Sequence, residues 1–364
     1  MRNRLIIDLL IVKKGQSSGY QEYVFNLLNY FYKNRNLIEY KRIVIWCKDS
    51  EVEAFREYRD KFEIKPFHYN SYLRRFWLQT ILPVREKLTY DDLLFSPGNT
   101  SGFIKRSRVI LTIHDLLFKR KEWLPKTAMR WQRSIFIPSS IKKADRIVAI
   151  SNFTKNDIEY YYPKAKGKIE VIYNSINFEK FEDAIEPQFD NDYFLAICSN
   201  AYHKNLQTVL KAFKVYCEKG GDKDLIFVGN FSHTGSVASL YESFPIDIKN
   251  RIVNKSGISN AELGGLYKGA SCYITASLFE GLGMPVVEAM SFGLPLLLSN
   301  IPPHREVSLG MGVYFDPFNV EELSYKMLSM DFHKRNYSKD IRQLFDERNT
   351  SGNYVCLINQ MSVL

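Results

Sequence analysis

Between Phe279 and Asn300 the chain reads FEGLGMPVVEAMSFGLPLLLSN, an order that few folds accept. Just before it, Ser271 to Ser277 (SCYITAS) alternates like a strand. Gly281-Leu282-Gly283-Met284 then makes a tight loop, and Pro285 suits the first position of a helix, where its missing N–H would be unpaired anyway. Gly293 closes that helix as a glycine cap, and Leu294 to Ser299 supplies the next strand. A strand, a glycine loop and a helix start make a phosphate site, because free N–H groups and the helix dipole point at one place. Glu280 precedes that site and Glu288 lies in the first turns of the helix. A carboxylate so placed is better used on sugar hydroxyls than on phosphate oxygens, which suggests a nucleotide-sugar. Glutamate near a helix N-terminus is also favoured by the dipole alone, so the segment by itself leaves an ordinary α/β protein open.

The rest of the chain repeats the same grammar. Arg4–Leu10, Arg42–Trp46, Val109–Ile113, Arg146–Ser151 and Ile169–Tyr173 read as strands in the first half. Tyr193–Cys198, Leu225–Val228, Cys272–Ala276, Leu296–Ser299 and Gly312–Phe315 do so in the second. Strands alternating with helical patterns imply parallel sheets covered by helices. With 364 residues, two α/β, Rossmann-like doubly wound domains are expected. The acidic stretch Glu179 to Asp192 is the linker candidate, giving domains 1–185 and 186–350. In such sheets ligands bind at the carboxyl ends of the strands.

Phe279 to Met290 resembles the signature of the family-4 retaining glycosyltransferases, which have the GT-B fold of two facing domains. The resemblance implies that Glu280 contacts the donor sugar, that Glu288 holds the ribose, and that the amides of Gly281, Leu282, Gly283 and Met284 face the diphosphate. It also implies that the end of the chain, 351–364, returns to the first domain. Asn200 to Leu206 (NAYHKNL) matches the family segment whose lysine binds the diphosphate, so Lys204 carries over; alone, a lysine there would read as solvated. Many members carry an arginine about six residues earlier, where this chain has Cys198 and Ser199. Gly15 to Gly19 (GQSSG) stands where the family has a glycine turn near donor phosphate and acceptor, and Gly19 is the residue carried over. It is not a GxGxxG fingerprint. His114, in VILTIHDL, matches a histidine beside the transferred sugar, although a His-Asp pair after a strand is commonly a loop feature. Asn254 to Ala270 resembles the loop that receives the base, and Ser259 is its candidate contact.

The resemblance therefore implies a retaining, metal-independent transferase moving a sugar from a nucleotide-diphosphate donor to a hydroxyl acceptor, lipid-linked or saccharide. Glu280, His114 and Lys204 form its catalytic set. Surface polysaccharide or glycolipid assembly is the expected setting. A nucleotide-sugar epimerase of related fold and a non-catalytic sugar-nucleotide-binding subunit are the alternatives. No HExxH, GxSxG or P-loop occurs, and the histidines and cysteines lack zinc spacing. Asp190-Asn191-Asp192 matches DxD formally but falls in the linker, so no metal site and no cofactor are expected.

The five cysteines are scattered without CxxC, as buried free thiols in a reducing compartment would be. No run reaches the ~18–20 apolar residues a bilayer span needs, and MRNRLIIDLLIV reads as a first strand rather than a leader. Residues 1–180 hold 34 Lys+Arg against 19 Asp+Glu, a net of +15, while the remainder is acidic. Ser71 to Lys87, with Arg74, Arg75, Phe76 and Trp77, mixes cations with large apolar groups; so does Leu117 to Phe136, with Lys119, Arg120, Lys121, Trp123, Arg130, Trp131 and Arg133. That pattern suits an anionic membrane surface rather than nucleic acid, and equally suits helices with buried aromatic faces. A cytoplasmic protein, peripheral on the inner face of the plasma membrane, is expected.

Overall fold

The computed structural model describes residues 2–13, 19–123, 128–185, 189, 191–197, 199, 201–229 and 236–361. The chain divides into two compact units, residues 1–176 with 344–364, and residues 177–343.

The first unit is built on seven parallel strands. They are β1 (Arg2–Asp8), β2 (Tyr40–Lys48), β3 (Glu63–Phe67), β4 (Leu93–Ser96), β5 (Arg108–Ile113), β6 (Arg146–Ala149) and β7 (Ile169–Val171). Their order across the sheet is β3-β2-β1-β4-β5-β6-β7. Helices cover both faces, and β1 shows why its apolar run is nearly continuous. Leu5 and Ile7 join a core with Tyr23, Leu27 and Phe31 of helix α1 (Gly19–Lys33), whereas Ile6 joins the opposite core with Trp46 and Leu82. Leu82 belongs to helix α2 (Tyr72–Arg85), which Ser71 caps by accepting from the Arg74 N–H at 3.2 Å. Arg75 and Phe76 are buried, because the α2 face carrying them packs inward; Phe76 stacks on Phe136 of helix α3 (Ala128–Lys143) at 3.5 Å. The expected cationic-aromatic face therefore keeps only Arg74 and Trp77 of its first four residues.

The helix Glu347–Gln360 belongs to this unit. Tyr354, Val355, Leu357 and Ile358 enter the α1 core, and the Tyr23 hydroxyl donates to Tyr354 Oη at 2.8 Å. The returning segment starts at Leu344 rather than at 351, since the Ile176 N–H donates to the Phe345 carbonyl at 3.1 Å and Phe345 meets the Tyr173 ring. The first unit likewise ends before 185. Phe181 packs on Tyr267 and Phe292, and the Ile185 N–H donates to the Ala261 carbonyl at 3.0 Å, which ties the 177–185 stretch to the second unit.

The second unit holds β8 (Tyr193–Ile197), β9 (Asp224–Val228), β10 (Ile252–Lys255), β11 (Cys272–Thr275), β12 (Leu296–Ser299) and β13 (Val313–Phe315). All are parallel, in the order β10-β9-β8-β11-β12-β13. Each sheet thus winds outward in two directions from a central pair, β1 with β4 and β8 with β11. The loops leaving the carboxyl ends of such a pair form a crevice for ligands. Cys47 and Cys272 are buried free thiols, Cys217 is half-buried and Cys356 is exposed, while Cys198 lies outside the described residues.

Candidate functional site

In the second unit the topology alone brings two of the expected residues together. β8 runs toward the turn Tyr202–Lys204, and its neighbour β11 runs into the 276–283 loop. The loops are tied by the Leu278 N–H donating to the His203 carbonyl at 2.7 Å. Asn205 adopts a left-handed conformation that asparagine tolerates, and its Nδ2 donates to the carbonyls of Ala276 at 3.1 Å and Pro317 at 2.7 Å. Lys204 Nζ, held by this frame, donates to Glu280 Oε1 at 2.6 Å. Ser277 Oγ donates to the same oxygen at 2.7 Å.

Burial opposes the Glu280 charge, but Lys204, His304 and the Ser277 hydroxyl outweigh it and hold the carboxyl below its ordinary range. His304 is the counterpart. It is buried, and desolvation carries its pKa down to about 4 against the pull of Glu280, so it is neutral at pH 7. Its Nδ1 lies 3.1 Å from the Ser299 carbonyl and 3.0 Å from Ser299 Oγ, whose own proton goes to the Ser277 carbonyl at 2.6 Å. These acceptors place the imidazole proton on Nδ1. The ring then borders the glycine loop: a Cβ on Gly283 would lie 3.6 Å from His304 Cδ2 and 3.9 Å from Nε2.

Gly283 takes φ +99 and caps the helix Met284–Ser291, with Met284 rather than Pro285 at its first position. Leu282 and Met284 are buried, as is Gly283, and Gly281 is half-buried. At the far end Gly293 takes φ +73, and a Cβ there would meet the Arg335 carbonyl oxygen at 2.6 Å. Glu288 faces inward from this helix. Its Oε1 accepts from Lys180 Nζ at 2.6 Å and its Oε2 from the Tyr267 hydroxyl at 2.7 Å. That fixed, charge-assisted geometry turns a flexible carboxylate into a preorganised acceptor. Ser259 is engaged differently. It caps the helix Asn260–Gly269, accepting from the Glu262 N–H while Glu262 Oε2 accepts from both its N–H and its hydroxyl at 2.8 Å.

The first unit carries the other expected residues. His114 follows β5. Its N–H donates to Asn99 Oδ1 at 2.8 Å, and its Nε2 donates to the Pro97 carbonyl at 2.7 Å. Burial holds its pKa below the ordinary value and keeps it neutral, with the rings of Tyr20 and Tyr23 edge-on at 5.3 and 5.1 Å. Asp115 spends Oδ1 on the Leu117 N–H at 2.8 Å. Gly19 is exposed at the start of α1, while residues 15–18 of the glycine turn lie outside the described residues.

Sequence reasoning missed Lys180, Tyr267, Ser277 and His304. Lys180 stood in an acidic stretch taken for linker, and nothing in its own neighbourhood names Glu288, 108 residues away, as its partner. Ser277 was legible in principle, three residues before Glu280 at the end of a strand-like run.

The chain's similarities to known proteins bear on its family and fold. Residues 18–180 match the family described as Glycosyltransferase Family 4, and residues 178–341 the family described as Glycosyl transferases group 1. The O-antigen chain mannosyltransferase RfbU of Salmonella typhimurium is 27% identical over 78% of this chain and 74% of its own. The GDP-mannose:cellobiosyl-diphosphopolyprenol alpha-mannosyltransferase of Komagataeibacter xylinus is 28% identical over 64% of this chain and 60% of its own. Among solved structures, Anabaena HepE in complex with UDP and glucose superposes with a TM-score of 0.70 at 13% identity, covering 99% of this chain and all of that one. This chain belongs to the family-4 glycosyltransferases and has their two-domain GT-B fold.

Proposed function

We propose that the chain is a retaining mannosyltransferase that takes its sugar from a nucleoside-diphosphate donor and extends a lipid-linked saccharide in surface polysaccharide assembly. The observation that carries this is the Lys204–Glu280 pair beside the Gly283 helix start, with Glu288 clamped by Lys180 and Tyr267 one helix turn beyond. The activities of the two mannosyltransferase relatives support mannose and a polyprenol-linked acceptor.

In this reading the loop amides and Lys204 meet the charge that develops on the departing diphosphate, so no obligate metal is required. Glu280 holds the sugar and Glu288 the ribose. The acceptor hydroxyl attacks from the face the leaving group departs, and the leaving phosphate takes its proton. His114 touches the transferred sugar, Gly19 approaches the donor phosphate, and Ser259 lies by the base. The protein's part is positioning and electrostatic stabilisation.

Two features support work at the cytoplasmic membrane surface. α2 exposes Leu73, Trp77, Ile81 and Val84 along one side, flanked by the exposed Arg74. α3, joined to it through the Phe76–Phe136 stack, exposes Trp131 and Ile135. No helix among the described residues is long and apolar enough to cross a membrane.

The test is a panel of GDP-, UDP- and dTDP-sugars read by thermal shift, followed by transfer assays in EDTA. A ligand at 100 times its Kd adds about 2.7 kcal/mol to the folded state. GDP-mannose should give the largest shift, and NMR of the product should show the donor's anomeric configuration. Inversion, or loss of transfer in EDTA, overturns the retaining, metal-independent mechanism; epimerised donor without a new glycosidic bond overturns transfer itself.

A further inference from the structure

The carboxyl edge of the first sheet contains a cation whose bonds are unmade. Arg75 stands in the first turn of α2, its residue 3% exposed, and the ring of Tyr72 covers its guanidinium at 4.4 Å. Its Nε and Nη2 are buried and have no hydrogen-bond partner. The Tyr20 hydroxyl, at the start of α1, is in the same condition. Gly98, following β4, packs against it: a Cβ there would lie 3.0 Å from that hydroxyl and 3.0 Å from Ile11 Cγ2.

The acid that feels both groups is Asp8, the last residue of β1. It does not satisfy them. Its Oδ1 accepts from the Leu10 N–H at 3.2 Å and its Oδ2 from Gln79 Nε2 at 2.6 Å, and Gln79 is itself fixed by Thr100, whose hydroxyl donates to Gln79 Oε1 at 3.1 Å. Tyr69, the other neighbour, donates its hydroxyl to the Leu10 carbonyl. Asp8, Tyr20 and Gly98 all lie at the β1–β4 switch point, where doubly wound sheets bind ligands.

We infer that Arg75 and Tyr20 form a receptor for a two-oxygen anion, carboxylate or phosphate, carried by the acceptor. Nε–H and Nη2–H point the same way from one edge of the guanidinium, so two parallel donors meet two oxygens, and the phenol adds a third. Buried donors left without partners are costly, and a bound oxyanion completes all three. Assigning the anion to the acceptor rests on the proposed transfer reaction, in which Lys204 and the loop amides of the second unit meet the diphosphate charge. The anion site itself does not rest on it.

The experiment follows the Arg75 Nε–H resonance in the full-length, arginine-labelled protein, assigned by its disappearance in Arg75→Lys. Inorganic phosphate and glucuronate are titrated separately with the donor site saturated by nucleoside diphosphate. The resonance should move downfield with one or both, and the responding anion identifies the acceptor's charged group. Arg75→Lys, which keeps the charge but not the fork, should weaken that anion about tenfold, and Tyr20→Phe about threefold. Nucleoside-diphosphate affinity should not change in either variant. A resonance unmoved by both anions, or already at its hydrogen-bonded position without them, overturns the inference whether or not transfer activity is found.

Discussion

At the scale of single residues, the two glutamates differ in what holds them. Glu288 is locked by Lys180 and Tyr267, so Glu288→Ala should weaken nucleotide binding by the roughly 1.5–3 kcal/mol of a charge-assisted hydrogen bond, read by calorimetry. Glu280→Gln keeps the side chain's shape but loosens Lys204, and should depress kcat more than nucleotide affinity. Wild-type transfer in both variants would remove the segment from the site. Two other groups set the acid response. His304 titrates at about 4 in the folded protein and near 6.5 unfolded, so the unfolded chain binds the extra proton and stability falls as pH drops from 6.5 to about 4. Asp8 titrates at about 6 folded and near 3.8 unfolded, so its cost is present above pH 6 and is relieved as pH falls through that window. The effects oppose each other. His304→Asn should flatten the decline in melting temperature between pH 6.5 and 4, and Asp8→Asn should steepen it; unchanged profiles would show that neither environment is as buried as described.

At the scale of elements, the glycine-loop helix and its flanking strands were readable because Gly281, Gly283, Pro285 and Gly293 each mark a backbone requirement. β3, β4 and β10 were not. Glu63–Phe67 carries Pro66 and lies at a sheet edge, partly exposed, while Leu93–Ser96 is only four residues, all buried, with no alternation. Ile252–Lys255 is the other sheet's short edge. Helix α2 shows the limit of composition in another way. Its adjacent Arg74, Arg75, Phe76 and Trp77 looked alike as a cluster, yet helical rotation sends Arg75 and Phe76 inward and leaves Leu73, Trp77, Ile81 and Val84 outside. The membrane prediction belongs to that stripe. The protein should pellet with anionic phosphatidylglycerol vesicles, release with salt and ignore phosphatidylcholine. Trp77→Ala with Ile81→Ala should cut vesicle binding without altering nucleotide affinity. Equal recovery in the supernatant with and without anionic lipid would leave the stripe without that role and favour a soluble saccharide acceptor.

At the scale of the whole chain, the sequence made the two-sheet architecture legible but not the extent of each unit, because the contacts that decide it are long-range. The second unit takes in Lys180, which reaches Glu288, and the first takes in Tyr354, whose hydroxyl meets Tyr23 and Thr112 inside the core. Of the residues assigned to the donor, Lys204, Glu280 and Glu288 lie within 177–343, together with their partners Lys180, Ser277 and Tyr267, while Gly19 and His114 lie in the first unit. The first unit's core depends instead on the returning helix, where Tyr354 is 1% and Ile358 0% exposed. Truncating a large buried side chain there removes apolar contact and leaves a cavity, at a cost of about 2–5 kcal/mol. Tyr354→Ala and Ile358→Ala should therefore accelerate amide hydrogen exchange in β1, β5 and α1 and lower the melting temperature. Exchange in β8, β11 and the 276–283 loop, and the affinity for nucleoside diphosphate, should stay close to wild type. If protection falls equally in both sheets, the chain unfolds as one cooperative body, and the second unit does not hold its ligand geometry independently of the returning helix.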